Sequence, residues 1–247
     1  MIYCFHLFIK EAEAMQIALI ADLHGNRPAV EALERDLAFI KPDKIFCLGD
    51  IVGKGPSNYF TFDWAMAHCD LILGGNWDFG VGYQEFPNDL YYWQQLGEER
   101  LKILRKLPLE HEMMMSGQRI RLFHGRPVME NLVFSTNDAS LINPFFTDDQ
   151  GGRYDAVIYA DAHRQAMRTM SPGLFVNIGS VGNAIGVPKC FYAILCGEEG
   201  NIPAPLEIRL RHLDYDRDQA VRDALAAPTL PRVESYIREI QTGIYSR

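Results

Sequence analysis

Five short polar clusters hold most of the residues that could do chemistry in this chain: Asp22-Leu23-His24, Gly49-Asp50, Gly75-Asn76-Trp77-Asp78, His124-Gly125 and Asp161-Ala162-His163. Together they supply carboxylates, imidazoles and an amide, the donor types that hold divalent cations. Each cluster follows an apolar run of strand length: IALIA, KIFCL, LIL, IRLF and AVIYA. The carboxyl ends of strands in an open α/β sheet share one edge, so residues far apart in sequence can converge there.

Taken singly, the signals are weak. Asp22 and His24 alternate with Leu23, so in an extended segment both side chains point to one side; a lone D-x-H is as often a cap or a turn. Asp50 has two oxygens with which to bridge two cations, or it simply opens the following GKGP turn. That turn is not a phosphate loop, because Gly55 follows Lys54 where Ser or Thr belongs. Asn76 is a neutral oxygen donor or a left-handed turn residue. A lone His124 or His163 is more often a satisfied core histidine, although Asp161 two residues before His163 favours a ligand.

The order of these clusters, with the strings ADLHGN, GDIVGKGP, FHGRP, AHR and FVNIGSVG and the tail from LRHLDYD onward, resembles the calcineurin-like metallophosphoesterases. The small standalone bacterial and archaeal phosphodiesterase branch is the most similar, and the resemblance covers nearly everything from Met15 onward. It implies an α/β fold, a four-layer α/β/β/α sandwich of two packed mixed sheets. It also implies a two-metal phosphoesterase, foremost a phosphodiesterase hydrolysing small phosphate esters or nucleotides by attack of a metal-bridging hydroxide. Carried over by position, Asp22, His24, Asp50 and His163 would hold one ion and Asp50, Asn76, His124 and Asp161 the other, about 3.5–4 Å apart. Asp50, Asn76 and His124 are the expected catalytic set.

The chain departs from that family's pattern at two places. Asp161 stands where the family usually has a second histidine. The extra carboxylate shifts preference toward Mn²⁺ or Mg²⁺ and away from Zn²⁺, with Mn foremost and Fe, Mg, Zn and Ni as alternatives, or leaves the second ion weakly held. Trp77 stands where many relatives have the histidine that protonates the leaving group, and losing a general acid typically removes about 10²–10⁴-fold in rate. Trp77 is then either a stacking surface or loop packing, and Asp78 a turn residue. Arg27, Arg126 and Arg164 are expected at phosphate oxygens or at a salt-bridged rim; Asn177 and Ser180 are expected to build a turn beside the site.

Length and composition agree with this reading. With 247 residues, 48% of them hydrophobic, the chain can bury a large core as one domain. A formal charge of −8 disfavours extended nucleic acid as a partner and leaves small phosphate esters open. Five cysteines without a C-x-x-C pair read as reduced thiols of a cytoplasmic protein, and nothing reads as a membrane span. Residues 1–14 are either an added strand or arm, or precede a natural start at Met15; residues 15–247 form the single domain.

Between the clusters the pattern is strand, loop, helix. Pro28, Val30, Leu33, Leu37 and Ile40 predict a helix ending before Lys41-Pro42. Further helices are predicted over 60–68, 87–107, 216–226 and 232–241, and short strands from His111 to Leu213. The aromatic helix after Pro87 would cover the site or form a homo-oligomer face. Two other functions stay open: a scaffold that keeps the fold with little turnover, for which the altered acid and metal positions argue, and a phosphomonoesterase or protein phosphatase.

Overall fold

The structure, a computed structural model, describes residues 14–246. The expectation for the stretch before Met15 lies outside the described residues, apart from Ala14.

Ile17 and Leu19 of β1 (Met15–Ile20) enter one apolar cluster while Ala18 and Ile20 enter another, so a period of two buries both faces of the strand. β1 pairs in parallel with β2 (Lys44–Cys47), which pairs in parallel with β3 (Leu71–Ile72). Helices α1 (Arg27–Ile40) and α2 (Asn58–His68) make the crossovers. The sheet is completed by antiparallel β9 (Cys190–Gly197) beside β1 and β10 (Glu207–Leu213) beside β9.

The second sheet runs in the order β4 (Glu110–Met115), β5 (Gln118–Phe123), β6 (Ala156–Tyr159), β8 (Leu174–Asn177), β7 (Ala166–Thr169), with β5, β6 and β8 parallel. Ile120, Leu122, Ile158 and Val176 of this sheet meet Ile17, Leu19, Phe46 and Leu195 of the first in one apolar layer. Burial of this kind contributes about 25 cal/mol per Å² and is the main force holding the sheets face to face.

Helices α1, α2, α4 (Leu90–Leu104), α6 (Arg217–Leu225) and α7 (Val233–Thr242) cover the outer face of the first sheet. The outer face of the second is covered by little more than α5 (Ala139–Ile142), a 3₁₀ turn at Asn143–Phe146 and loops around Met129 and Val133. The two packed mixed sheets flanked by helices are the expected sandwich, with one helical layer thin.

Two local expectations change. The helix predicted over 87–107 is a 3₁₀ turn at Pro87–Asp89 followed by α4, which breaks at Gly97 (φ 69°, ψ 163°), a conformation that glycine adopts without a Cβ penalty. The segment from Asn76, read as a turn and loop, is helix α3 (Asn76–Gly82). Among the described residues no helix is long and apolar enough to cross a membrane, and Cys47, Cys69, Cys190 and Cys196 are free.

Candidate metal centre

Every ligand candidate leaves the carboxyl end of a parallel strand: Asp22 and His24 after β1, Asp50 after β2, Asn76 after β3, His124 after β5, and Asp161 and His163 after β6. The loops are stapled to one another by backbone bonds, Asp22 N–H to Gly49 O at 2.9 Å and Ala160 N–H to His124 O at 2.7 Å. Asn177 donates to Ala160 O and Ser180 to Asp22 O, so both brace ligand loops from behind.

Asp22 and His24 do not reach one side by running extended, as alternation predicted. Asp22 (φ 56°), His24 (46°), Asp50 (54°), Asp161 (59°) and His163 (55°) all adopt left-handed backbone. For non-glycine residues this costs of order 1–3 kcal/mol each and persists where the surroundings over-determine it. Each kink turns a side chain off its strand into a common centre.

At that centre Asp22, His24, Asp50 and His163 each offer an atom within 4.8 Å of the others. His163 Nε2 lies 3.2 Å from Asp22 Oδ1 and from His24 Nε2. His124 Nε2 lies 3.3 Å from Asp50 Oδ2. The outer nitrogens are fixed by backbone carbonyls: His24 Nδ1 by Val52 O at 3.0 Å, His124 Nδ1 by Leu48 O at 2.7 Å and His163 Nδ1 by Asn183 O at 2.5 Å. Those bonds hold the proton on Nδ1, so that once Nε2 is deprotonated its lone pair faces inward, the usual outer support of a metal-bound imidazole.

Both Asp22 oxygens, Asp50 Oδ2, Asn76 Oδ1 and His124 Nε2 are buried without a hydrogen-bond partner. Leaving such groups unpaired costs about 1–3 kcal/mol each, and more for charged ones. His124 Nε2 lies 3.8 Å from Asp22 Oδ1 and 3.3 Å from Asp50 Oδ2, a grouping that fits a bound cation. Burial opposes the charged form of His124, yet the facing carboxylates of Asp50, Asp22 and Asp161 outweigh it and raise its pKa to about 10.

Asp78 is not a surface turn residue. Completely buried, it accepts from the backbone N–H groups of Asp50 (2.7 Å), Ile51 (3.0 Å) and Gly75 (2.9 Å), joining the start of α3 to the Asp50 loop. Burial and the Asp50 charge push its pKa up to about 7, against the bonds that favour the carboxylate. The Trp77 N–H donates to Asp50 Oδ1 at 2.9 Å, which leaves Oδ2 for the centre. Gly75 must be glycine because a Cβ there would collide with Asp50 Oδ1.

A cavity of about 570 Å³ opens on Asp50, Asn76, Asp161 and His163. Trp77, Phe86, Leu132 and Phe134 form apolar walls, and Lys54, Arg126, Arg164 and Arg232 bring positive charge. The Trp77 ring lies on Gly53, where a Cβ would strike it, with Lys54 Nζ 6.0 Å from the ring centroid. Arg164 sits over Phe134. Arg27 does not line the cavity: its Nε pairs with Glu31 at 2.7 Å along α1 and its guanidinium covers Phe60. Arg126 clasps Asp161 instead of standing free.

The carboxyl-edge cluster, the inward imidazoles and the two-sheet frame all agree with one family, and residues 15–199 match its model, described as the calcineurin-like phosphoesterase superfamily domain. The chain belongs to the calcineurin-like phosphoesterase superfamily. Its fold is that of a metallophosphoesterase from Sphaerobacter thermophilus (TM-score 0.71, 23% identity, 94% of this chain and all of that one) and a hypothetical protein from Pyrococcus horikoshii (TM-score 0.74, 20% identity, the same coverage). An uncharacterized protein of Methanocaldococcus jannaschii is 28% identical over 234 residues, 83% of this chain and 89% of the relative. Phosphoesterases of this superfamily are metal-dependent, and the Asp/His cluster here could bind a metal.

Lys54, Asn183 and Glu239 were not singled out from sequence. Lys54 carries a signal, a lysine between glycines just after the Asp50 cluster, although the segment does not meet the phosphate-loop spacing. Asn183 and Glu239 had none.

Proposed function

We propose that the protein is a metal-dependent phosphoesterase acting foremost on small phosphodiesters, nucleotides among them. The observation that carries this reading is the set of buried ligand atoms on Asp22, Asp50, Asn76 and His124 that lack hydrogen-bond partners, two of whose residues, Asp50 and Asn76, line a cavity with cationic and aromatic walls.

Asp22, His24, Asp50 and His163 would hold one ion, and Asp50 Oδ2, Asn76 Oδ1 and His124 Nε2 a second, with Asp161 contributing only by sharing an oxygen with Arg126. A donor set rich in carboxylates favours Mn²⁺. Bound cations would supply Lewis-acid polarisation of a phosphoryl oxygen and a nucleophile at neutral pH. Lys54 and Arg126 bring positive charge to the anionic ester, and the cavity has the size of a nucleotide-like ligand. Trp77 has no proton to give near neutral pH, so esters with stable leaving groups are favoured. The free thiols support a reducing, cytoplasmic setting.

One observation favours a second reading, a binding protein with little turnover: Arg126 occupies both oxygens of Asp161, leaving the second donor set short. Metal-stripped protein resupplied with Mn²⁺ and offered bis-p-nitrophenyl phosphate beside p-nitrophenyl phosphate separates the readings. Preferential diester hydrolysis supports the phosphodiesterase, whereas bound metal without turnover of either ester supports the scaffold.

A further inference from the structure

We propose that Glu239, on the C-terminal helix α7, is a positioning residue of the site: through the side chain of Asn183 it fixes the Lys54 ammonium at the cavity. The inference rests on the phosphoesterase reading, because it takes the phosphoryl group as what Lys54 meets.

The family match ends at residue 199, and α7 lies beyond it. Glu239 is nevertheless fully buried. A buried carboxylate is costly unless compensated. Its Oε2 accepts from Asn183 Nδ2 at 3.2 Å and its Oε1 from the Ser246 N–H at 3.1 Å. Asn183 Oδ1 in turn accepts from Lys54 Nζ at 2.8 Å.

The amide is thereby oriented by charge at both ends. A carboxylate only accepts and an ammonium only donates, so Nδ2 must face Glu239 and Oδ1 must face Lys54. Asn183 is held apart from this relay by its own backbone, whose N–H donates to Ser180 Oγ at 2.9 Å and whose carbonyl orients His163. The tail closes onto the same loop, with the Gly186 N–H donating to Gly243 O at 2.8 Å. Lys54 itself sits on left-handed backbone with a flexible four-carbon stem; its Nζ also lies 3.4 Å from His163 Nε2, an atom that a bound metal would take, whereas Asn183 Oδ1 is an acceptor that stays when metal is bound.

The test is calorimetric titration of inorganic phosphate into the full-length, Mn²⁺-loaded protein. Glu239→Ala is expected to weaken phosphate binding by about 10-fold, the size of one hydrogen bond in a charged relay, with Mn²⁺ stoichiometry unchanged because the Asn183 backbone still holds His163. Glu239→Gln, which can still accept from Asn183, is expected to restore most of the loss. Adding Glu239→Ala to Lys54→Ala is expected to cost little more than Lys54→Ala alone, since residues in one network are not additive. Phosphate binding by Glu239→Ala equal to that of the wild type, or losses from Glu239 and Lys54 that simply add, would overturn the proposal. Should Glu239→Ala fail to fold, Asn183→Ala cuts the same relay without touching α7 and carries the same two outcomes. A wild type that binds no phosphate overturns the relay together with the reading beneath it. Phosphate binding with the expected mutant pattern but no diester turnover removes only that reading.

Discussion

Arg126 grips Asp161 through both carboxylate oxygens, Nε to Oδ2 at 2.8 Å and Nη2 to Oδ1 at 2.6 Å, and the Arg126 N–H adds a bond to Oδ2 at 3.1 Å. An imidazole at position 161 could not accept this two-pronged bond. Burial alone would raise the Asp161 pKa, but Arg126 and His124 outweigh it and hold the group charged. The pair keeps a carboxylate at the second donor set, 4.0 Å from His124 Nε2, while neutralising it.

Arg126→Ala should therefore free Asp161 to ligate. Mn²⁺ bound per chain is expected to rise and the weaker ion to tighten by about 10-fold, the size of a typical outer-support effect. Metal analysis and calorimetry would show it; unchanged stoichiometry with weaker binding would mean that Asp161 takes no part in holding metal.

The metal-free protein should lose stability in alkali on account of His124. Its folded pKa, about 10, lies above the ordinary value of 6.5. The contribution is thus fully present below about 6.5 and is lost as pH rises toward about 10. Metal reverses the trend, because a ligating Nε2 must shed its proton and affinity then rises with pH. Melting curves across that window should show metal-free wild type falling relative to His124→Gln, and Mn²⁺-loaded wild type rising relative to it.

Removing Asp78 should disturb the centre from outside it. Three backbone N–H groups lose their acceptor in Asp78→Ala, which is expected to cost about 3 kcal/mol in urea unfolding and to weaken metal binding as the Asp50 loop detaches from α3. Wild-type stability in that variant would show that the three bonds are replaced by water.

Trp77→His offers a proton donor where the chain has none. Alkyl diesters, which need leaving-group protonation, are expected to gain about 10-fold or more while p-nitrophenyl diesters change little. The half-buried ring lost over Gly53 should cost about 1–3 kcal/mol. Equal change for both ester classes would place Trp77 outside the leaving-group side.

What was legible in sequence followed from local pattern. Apolar runs ending in Asp, His or Asn marked each ligand loop, and β1 and α1 fall almost where periodicity put them. The left-handed kinks at Asp22 and His24 were hidden, since tertiary bonds impose them against local preference. Helix α3 was hidden by its glycines: NWDFGVG is a poor helix on propensity, and Asp78 secures it from within the fold. Glu239 resembles any charged residue beside an apolar stripe, because only the packing of α7 on the loop of Asn183 buries it.

The central claim is that carboxylates and imidazoles gathered around Asp50 hold metal for phosphodiester cleavage. The most direct measurement is hydrolysis of bis-p-nitrophenyl phosphate by metal-stripped protein as Mn²⁺ is titrated back, with Asp50→Asn beside the wild type. The account predicts turnover that appears with Mn²⁺ and is abolished in Asp50→Asn. Turnover independent of added metal, equal turnover in the variant, or none in a wild type that has bound its Mn²⁺ would contradict it.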